Sequence, residues 1–208
     1  MSAFRLLTST VAFVLLASVK AGAADGVKGL GIGDFRLGMT LTAFRGLSHP
    51  HPTQWPKAFA ACTGDKEADE IGTPARSLDL RPDEQARGLV RCEFFFWEEH
   101  DDESHFYSSA GLLLGDYTLD AQFEFLANAK GAEPRLARIR LQGRDFPLAK
   151  AVTELAPLYG KPAKPNPAEW RRGDGKITAT ALPGPRDRIV IEFLALTAAN
   201  KGVVKRKP

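Results

Sequence analysis

Tyr117 to Phe125 (YTLDAQFEF) alternates without a break between apolar and polar residues. Tyr117, Leu119, Ala121, Phe123 and Phe125 share one face, while Thr118, Asp120, Gln122 and Glu124 share the other. Successive side chains point to opposite sides of a strand, so this pattern predicts a strand with one face on a core and one in water. An antiparallel sheet tolerates that asymmetry. Arg135 to Gln142 supplies a neighbour, with Ala137, Ile139 and Leu141 inward and Arg138 and Arg140 outward. Burial sets the register, since a one-residue slip would turn an apolar set to water. The predicted pairs are Phe125 with Ala137, Glu124 with Arg138, Phe123 with Ile139, Gln122 with Arg140 and Ala121 with Leu141.

Further strands are predicted at Leu89 to Trp97 (LVRCEFFFW), around Trp170, at Lys176 to Leu182 and at Arg188 to Leu196. Two short helices precede the strand groups. One holds Leu41, Phe44 and Leu47, the other Val152, Leu155 and Leu158, each at helical spacing. The stretches match at a constant offset, with Asp34, Phe35 and Leu37 corresponding to Asp145, Phe146 and Leu148. Asp34 and Asp145 are read as residues that start the helices rather than as a catalytic pair. An internal duplication is inferred. The expected fold is α+β: two related units, each a short helix followed by antiparallel strands, with one sheet face covered by helices. The units run 25–143 (enlarged) and 144–200.

The N-terminus sets the compartment. Met1 to Ala24 reads as a signal peptide, with Arg5 as positive n-region, an apolar run Val11–Ala17 and small residues Ala21-Gly22-Ala23. The run is too short to span a bilayer, which needs about 20 residues. The chain is therefore expected in a bacterial periplasm or secreted, with no transmembrane segment. Formal net charge is +3. Loss of Arg5 and Lys20 with the signal lowers it to +1, and without the basic tail 201–208 the body is acidic at −3. That balance argues against nucleic acid as a partner. The tail, with Lys201, Lys205, Arg206 and Lys207, is a frayed terminus or a weak contact for anionic surfaces. Cys62 and Cys92 are the only cysteines. After export an even pair is most simply a disulfide, with Cα atoms expected about 4.4–6.8 Å apart.

Phe35-Arg36-Leu37-Gly38-Met39-Thr40, running into a helix, resembles the repeat of small periplasmic proteins with the β-lactamase-inhibitor-like fold. Leu158-Tyr159-Gly160-Lys161-Pro162, with Trp170 and the Gly173–Leu182 hairpin, resembles the remainder of that repeat in the other copy. The small lipoprotein of the outer-membrane assembly machinery has a similar unit. Neither copy is complete: the second lacks Gly-Met-Thr and the first lacks Gly-x-Pro. The resemblance implies a non-catalytic binding or assembly role and rests on fold analogy.

Candidate sites are few. Glu98-Glu99-His100-Asp101-Asp102-Glu103-Ser104-His105 gathers carboxylates and imidazoles but lacks the glycine and spacing of a calcium loop. It reads as a solvated turn, a face for a basic partner or, least, a cation site. His49 and His51 alternate with prolines and are read as surface loop. Gly29 to Gly33 does not complete a nucleotide-binding glycine motif. Phe95 and Trp97, on the face opposite Val90, Cys92, Phe94 and Phe96, are either an exposed aromatic binding face or are covered by Ser48–Pro82, tied down through Cys62. The candidate partner surface is accordingly Phe95, Trp97, Glu98, Glu99, His100, Asp101, Asp102 and His105. No catalytic residue, metal ligand or cofactor is assigned. The expected function is binding or assembly in the cell envelope with another envelope protein. A hydrolase using dispersed carboxylates on an envelope polymer or peptide is the alternative.

Overall fold

The computed structural model describes residues 30–99, 105–184 and 186–196. The predicted signal segment, the acidic stretch 100–104 and the basic tail lie outside them. The strands are β1 (Gly31–Ile32), β2 (Phe35–Arg36), β3 (Phe59–Cys62), β4 (Val90–Glu99), β5 (His105–Ser109) and β6 (Leu112–Leu114), then β7 (Tyr117–Leu126), β8 (Arg135–Arg144), β9 (Lys164–Pro165), β10 (Ala168–Arg172), β11 (Gly175–Leu182) and β12 (Arg188–Ala195). The helices are α1 (Leu41–Arg45), α2 (Lys66–Ile71), α3 (Pro82–Ala86) and α4 (Leu148–Tyr159), with a 3-10 helix at Thr73–Leu78.

β1 and β2 pair alone, and the other ten strands form one antiparallel sheet. Its order is β3-β4-β7-β8-β12-β11-β10-β9, with β5 also on β4 and β6 on β7. The α+β expectation is overturned. Strand accounts for 43% of the described residues and helix for 21%, so the molecule is mostly β. The reason is length. With five residues in α1 and twelve in α4, the helices cannot roof ten strands. Loops and the β1–β2 hairpin close most of that face.

Phenylalanine does the filling. Phe35, Phe44, Phe94, Phe123 and Phe125 are buried, and Phe44 lies 4.9–5.7 Å, ring centre to ring centre, from the other four. Tilted rings at that spacing suit the aromatic quadrupole and add to the area term. The same core continues under α4 through Leu155, Ile139, Ile177, Ile191 and Phe193.

α1 is capped by Thr40, whose Oγ1 accepts from Ala43 N at 3.1 Å. Asp34 instead sits in the β1–β2 turn, and Asp145 takes a positive φ of 54° two residues before α4 opens after Pro147. Neither aspartate is the cap that the duplicated pattern predicts.

The β7–β8 register follows the predicted pairs from Ala121–Leu141 through Glu124–Arg138, then shifts, so that Phe125 faces Leu136 and not Ala137. The cause is a bulge, in which two residues of β8 oppose one of β7. Leu136 enters the main core, while Ala137 turns to a second cluster with Leu89 and Leu126. At the other end, Leu114 and Tyr117 pair across a Gly115-Asp116 loop. Gly115 has φ 61° there, which a two-residue hairpin favours and a side chain resists.

Cys62 and Cys92 are bonded, directly opposite each other on β3 and β4, with Cα atoms 4.0 Å apart. That separation is below the expected range because the two residues form a cross-strand pair, where backbones approach most closely. The bridge fixes residues 63–89 to the sheet. These residues carry α2, the 3-10 helix and α3 and fold over the face opposite α1 and α4. No described helix is long and apolar enough to cross a membrane.

Candidate functional site

The fold over the second face separates the predicted partner surface. Phe95 is fully buried against Ala61, Ile71, Ala75 and Leu78, so it is withdrawn as a surface residue. Of the two readings of Phe95, coverage by the disulfide-tethered segment is the one that holds. Trp97 remains 44% exposed, its ring edge-on to Tyr107 at 4.7 Å. Glu98 accepts from Ser108 Oγ at 2.8 Å. Glu99 and His105 form the last backbone pair of the β4–β5 hairpin. His100, Asp101 and Asp102 lie outside the described residues. Among the described residues no group of three His, Cys, Asp or Glu side chains could hold a metal.

The histidines are structural. His49 is buried, its Nδ1 accepting from His51 N at 3.2 Å and its Nε2 3.0 Å from Gly111 O. Nδ1 accepts, so Nε2 carries the proton and donates to the carbonyl. His51 Nε2 accepts from Leu113 N at 3.3 Å. Two imidazoles thereby dock the 48–55 loop on the backbone of β6 and of the residue just before it. Gly111 has no room for a side chain, since a Cβ would stand 2.6 Å from Leu119 O.

Charge is concentrated on the outer face of β7, β8 and β12, which sequence alternation assigns to water. Glu124 is 1% exposed. It accepts from Arg138 Nη2 at 2.6 Å and from Arg91 Nη2 at 3.2 Å. Arg91 also donates to Glu84 at 3.1 Å and to Asp79 O at 2.8 Å, and Arg138 reaches Glu192 at 3.4 Å. These residues are close because cross-strand register puts Glu124 and Arg138 side by side, while α3 brings Glu84 over them from above. Burial raises the Glu84 carboxyl pKa, but hydrogen bonding from Arg81 N and the charges of Arg91 and Arg81 outweigh it and hold the pKa below the usual value.

Beside this network lies a cleft of about 470 Å³. Arg81, Arg91, Arg138, Arg140, Glu84 and Glu192 line it, and Thr180, Leu182 and Val190 continue the same sheet face beside them. Arg140 stands between Gln122 on β7 and Glu192 on β12. Among the described residues it makes no ion pair or side-chain hydrogen bond, and its Nε is buried without a partner, as is that of Arg138. Buried guanidinium N–H groups are ordinarily satisfied. This makes Arg140 the one uncommitted strong donor of the cleft.

A second hollow of about 310 Å³ adjoins the first, sharing Gln122 and Arg140 and adding Ser77, Glu93 and Asp120. Glu93 is buried and accepts from Gln122 Nε2 at 2.8 Å. Desolvation raises its pKa, and the charge of Asp120 adds to the rise. Sequence reasoning missed this whole face. The signal available was a row of outward polar and charged residues, Gln122 and Glu124 beside Arg140 and Arg138 beside Glu192, on three adjacent strands.

Comparison with protein-family models, with curated proteins and with solved structures finds no match to this chain.

Proposed function

We propose that this chain is an exported, non-catalytic binding protein of the bacterial cell envelope, carrying an internal duplication, and that it binds through the arginine-bearing cleft. Arg140 carries the reading: a guanidinium with no side-chain partner among the described residues, at the floor of an open cleft, on the centre of a ten-stranded sheet. Guanidinium groups bind anions but do not exchange protons near neutrality, which suits recognition rather than turnover. The Cys62–Cys92 bridge and the signal-like N-terminus support export. The strand order supports the duplication, since β4-β7-β8 and β12-β11-β10 are three-strand blocks joined at β8 and β12, each preceded by a helix. Expression of the full chain in a Gram-negative host should give protein processed near Ala23 in the osmotic-shock fraction. Unprocessed protein confined to the cytoplasm refutes export.

One observation favours a hydrolase instead, namely Glu93 with its raised pKa in the hollow that also holds Asp120. Such a carboxyl is a candidate general acid. A panel of chromogenic ester, peptide and glycan substrates separates the two readings. Turnover abolished by Glu93→Gln would overturn the binding proposal, and none is expected.

A further inference from the structure

The cleft has two unlike stretches of lining, one charged and one apolar, and together they specify a ligand. On one side the guanidinium groups of Arg91 and Arg138 are already engaged by Glu84, Glu124 and Glu192. Arg138 keeps only its Nε unpaired, whereas the Arg140 side chain makes no ion pair or hydrogen bond at all among the described residues. Glu84 and Glu192 border the same space as fixed negative charges. A multiply charged anion such as phosphate would meet them as well as the arginine. A single negative charge meets less repulsion from Glu84 and from Glu192, the cross-strand neighbour of Arg140, and a planar carboxylate matches the guanidinium fork with two parallel hydrogen bonds.

Next to them on the same sheet face Leu182 and Val190 offer an apolar wall, with Thr180 beside them. Val190 sits opposite Thr180 on the adjoining strand and is 8% exposed, so the wall is firm. The space falls within the range of small-ligand sites and suits a short chain rather than a bare ion.

From these walls we infer that the cleft binds a monoanionic carboxylate carried on a short apolar group, the chemistry of a peptide C-terminus ending in a small aliphatic residue or of a free branched-chain acid. The carboxylate takes the Arg140 guanidinium, and the aliphatic group packs on Leu182 and Val190. This inference deepens the binding proposal above and rests on it.

The test is calorimetry on the purified chain with four probes: N-acetyl-Ala-Val acid, N-acetyl-Ala-Val amide, isobutyrate and inorganic phosphate. The acid should bind, with the amide and the Arg140→Gln variant each weaker by at least about tenfold, as loss of a charge-assisted fork implies. Arg140→Lys, which keeps charge but not the fork, should fall between. If isobutyrate binds as tightly as the peptide acid, the ligand is a free acid; if it is much weaker, the ligand is a peptide end. Should Arg140→Gln lower the melting temperature markedly, Leu182→Glu decides, because it sets a carboxylate in the apolar wall and should repel the acid. Equal binding of acid and amide, or no binding of either, overturns the inference. So does acid binding that survives both Arg140→Gln and Leu182→Glu. Phosphate binding that depends on Arg140, with the carboxylates silent, also overturns it yet leaves a binding protein. Failure of the wider reading shows elsewhere, as unprocessed cytoplasmic chain or as turnover that needs Glu93.

Discussion

The two faces of the sheet are built on opposite physical rules. The face under α1 and α4 is closed by phenylalanine rings and aliphatic side chains, with no charge among its buried members. The face under residues 63–89 buries Glu124, Glu84, Arg91 and Glu93 and keeps only small apolar clusters around Phe95 and Leu126. Hydrophobic burial is non-directional and cheap to satisfy, so the first face can be stable without being specific. Buried charges are weak contributors to net stability, because desolvation offsets most of their attraction. Their value lies in geometry. Each carboxylate fixes its arginines in place, and a fixed arginine field is what a binding cleft needs.

The comparison breaks most readily at Phe44. It touches every other ring of the aromatic cluster, so Phe44→Ala should cost about 3–5 kcal/mol in denaturant unfolding. A loss below about 1 kcal/mol would mean that the face collapses around the cavity and is not tightly packed. Glu124 is the counterpart on the charged face. Glu124→Gln leaves Arg91 and Arg138 without their shared anion and should cost about 2–4 kcal/mol. Replacing Glu124, Arg91 and Arg138 together with Leu, Met and Met should recover part of that loss, and only part because Glu84 and Glu192 then lose an arginine partner each. If the triple variant is as unstable as Glu124→Gln, the network contributes stability outright and the contrast between the faces fails.

How much of this was readable in the sequence divides along the same line. Alternation located β4, β7, β8, β11 and β12 within a few residues and fixed the β7–β8 register as far as Glu124–Arg138. Periodicity reports burial on one face, and the aromatic face obeys it. It reads any charged residue as wet, so Glu124, 1% exposed, was assigned to solvent. What covers it is a segment brought over by the Cys62–Cys92 bridge, a long-range event that local pattern does not encode. The bulge was hidden likewise, although Phe125-Leu126 and Leu136-Ala137, apolar neighbours that interrupt the alternation, are where it falls. Of the helices, α1 and α4 were legible, while α2, the 3-10 helix and α3 in residues 63–89 were not, and the shortness of all of them made α+β the wrong class. The cleft needed three strands in register before Arg140 could be seen to lack a partner.

Glu93 sharpens the comparison with a gain rather than a loss. Its pKa is raised by burial and by Asp120, so the folded state prefers the neutral carboxyl. The stabilising preference is fully present below the ordinary carboxylate range and is lost as pH rises through the folded pKa. Glu93→Gln should therefore stabilise the protein by about 0.5–1 kcal/mol at pH 7, with the gain shrinking as pH falls towards 4. A loss at pH 7 would show that the ionised carboxylate is held by its neighbours, contrary to the sign argued here.

The smallest effect belongs to His49, and its sign is opposite. Burial lowers the pKa of His49, the charge of His51 adds to this, and the hydrogen bond to Gly111 opposes it. A histidine whose folded pKa lies below its unfolded value stabilises the protein above the unfolded pKa, and that contribution is lost as pH falls through the folded one. The geometry says why: a second proton would go to Nδ1, which accepts from His51 N at 3.2 Å, and a donor would then face a donor. The melting temperature should fall by ~2 °C between pH 7 and pH 5, a shift that corresponds to less than about 1 kcal/mol for a chain of this size. His49→Gln, which can keep a donor towards Gly111 O, should flatten that dependence while lowering stability at pH 7. Carboxylates such as Glu84, whose folded pKa is lowered, lose their contribution only further into acid, while Glu93 with its raised pKa titrates from above. The slope between pH 7 and pH 5 is therefore read in the Glu93→Gln background, where it isolates the histidine. An unchanged slope in His49→Gln would assign the pH dependence to other groups and leave the 48–55 loop docked by packing alone.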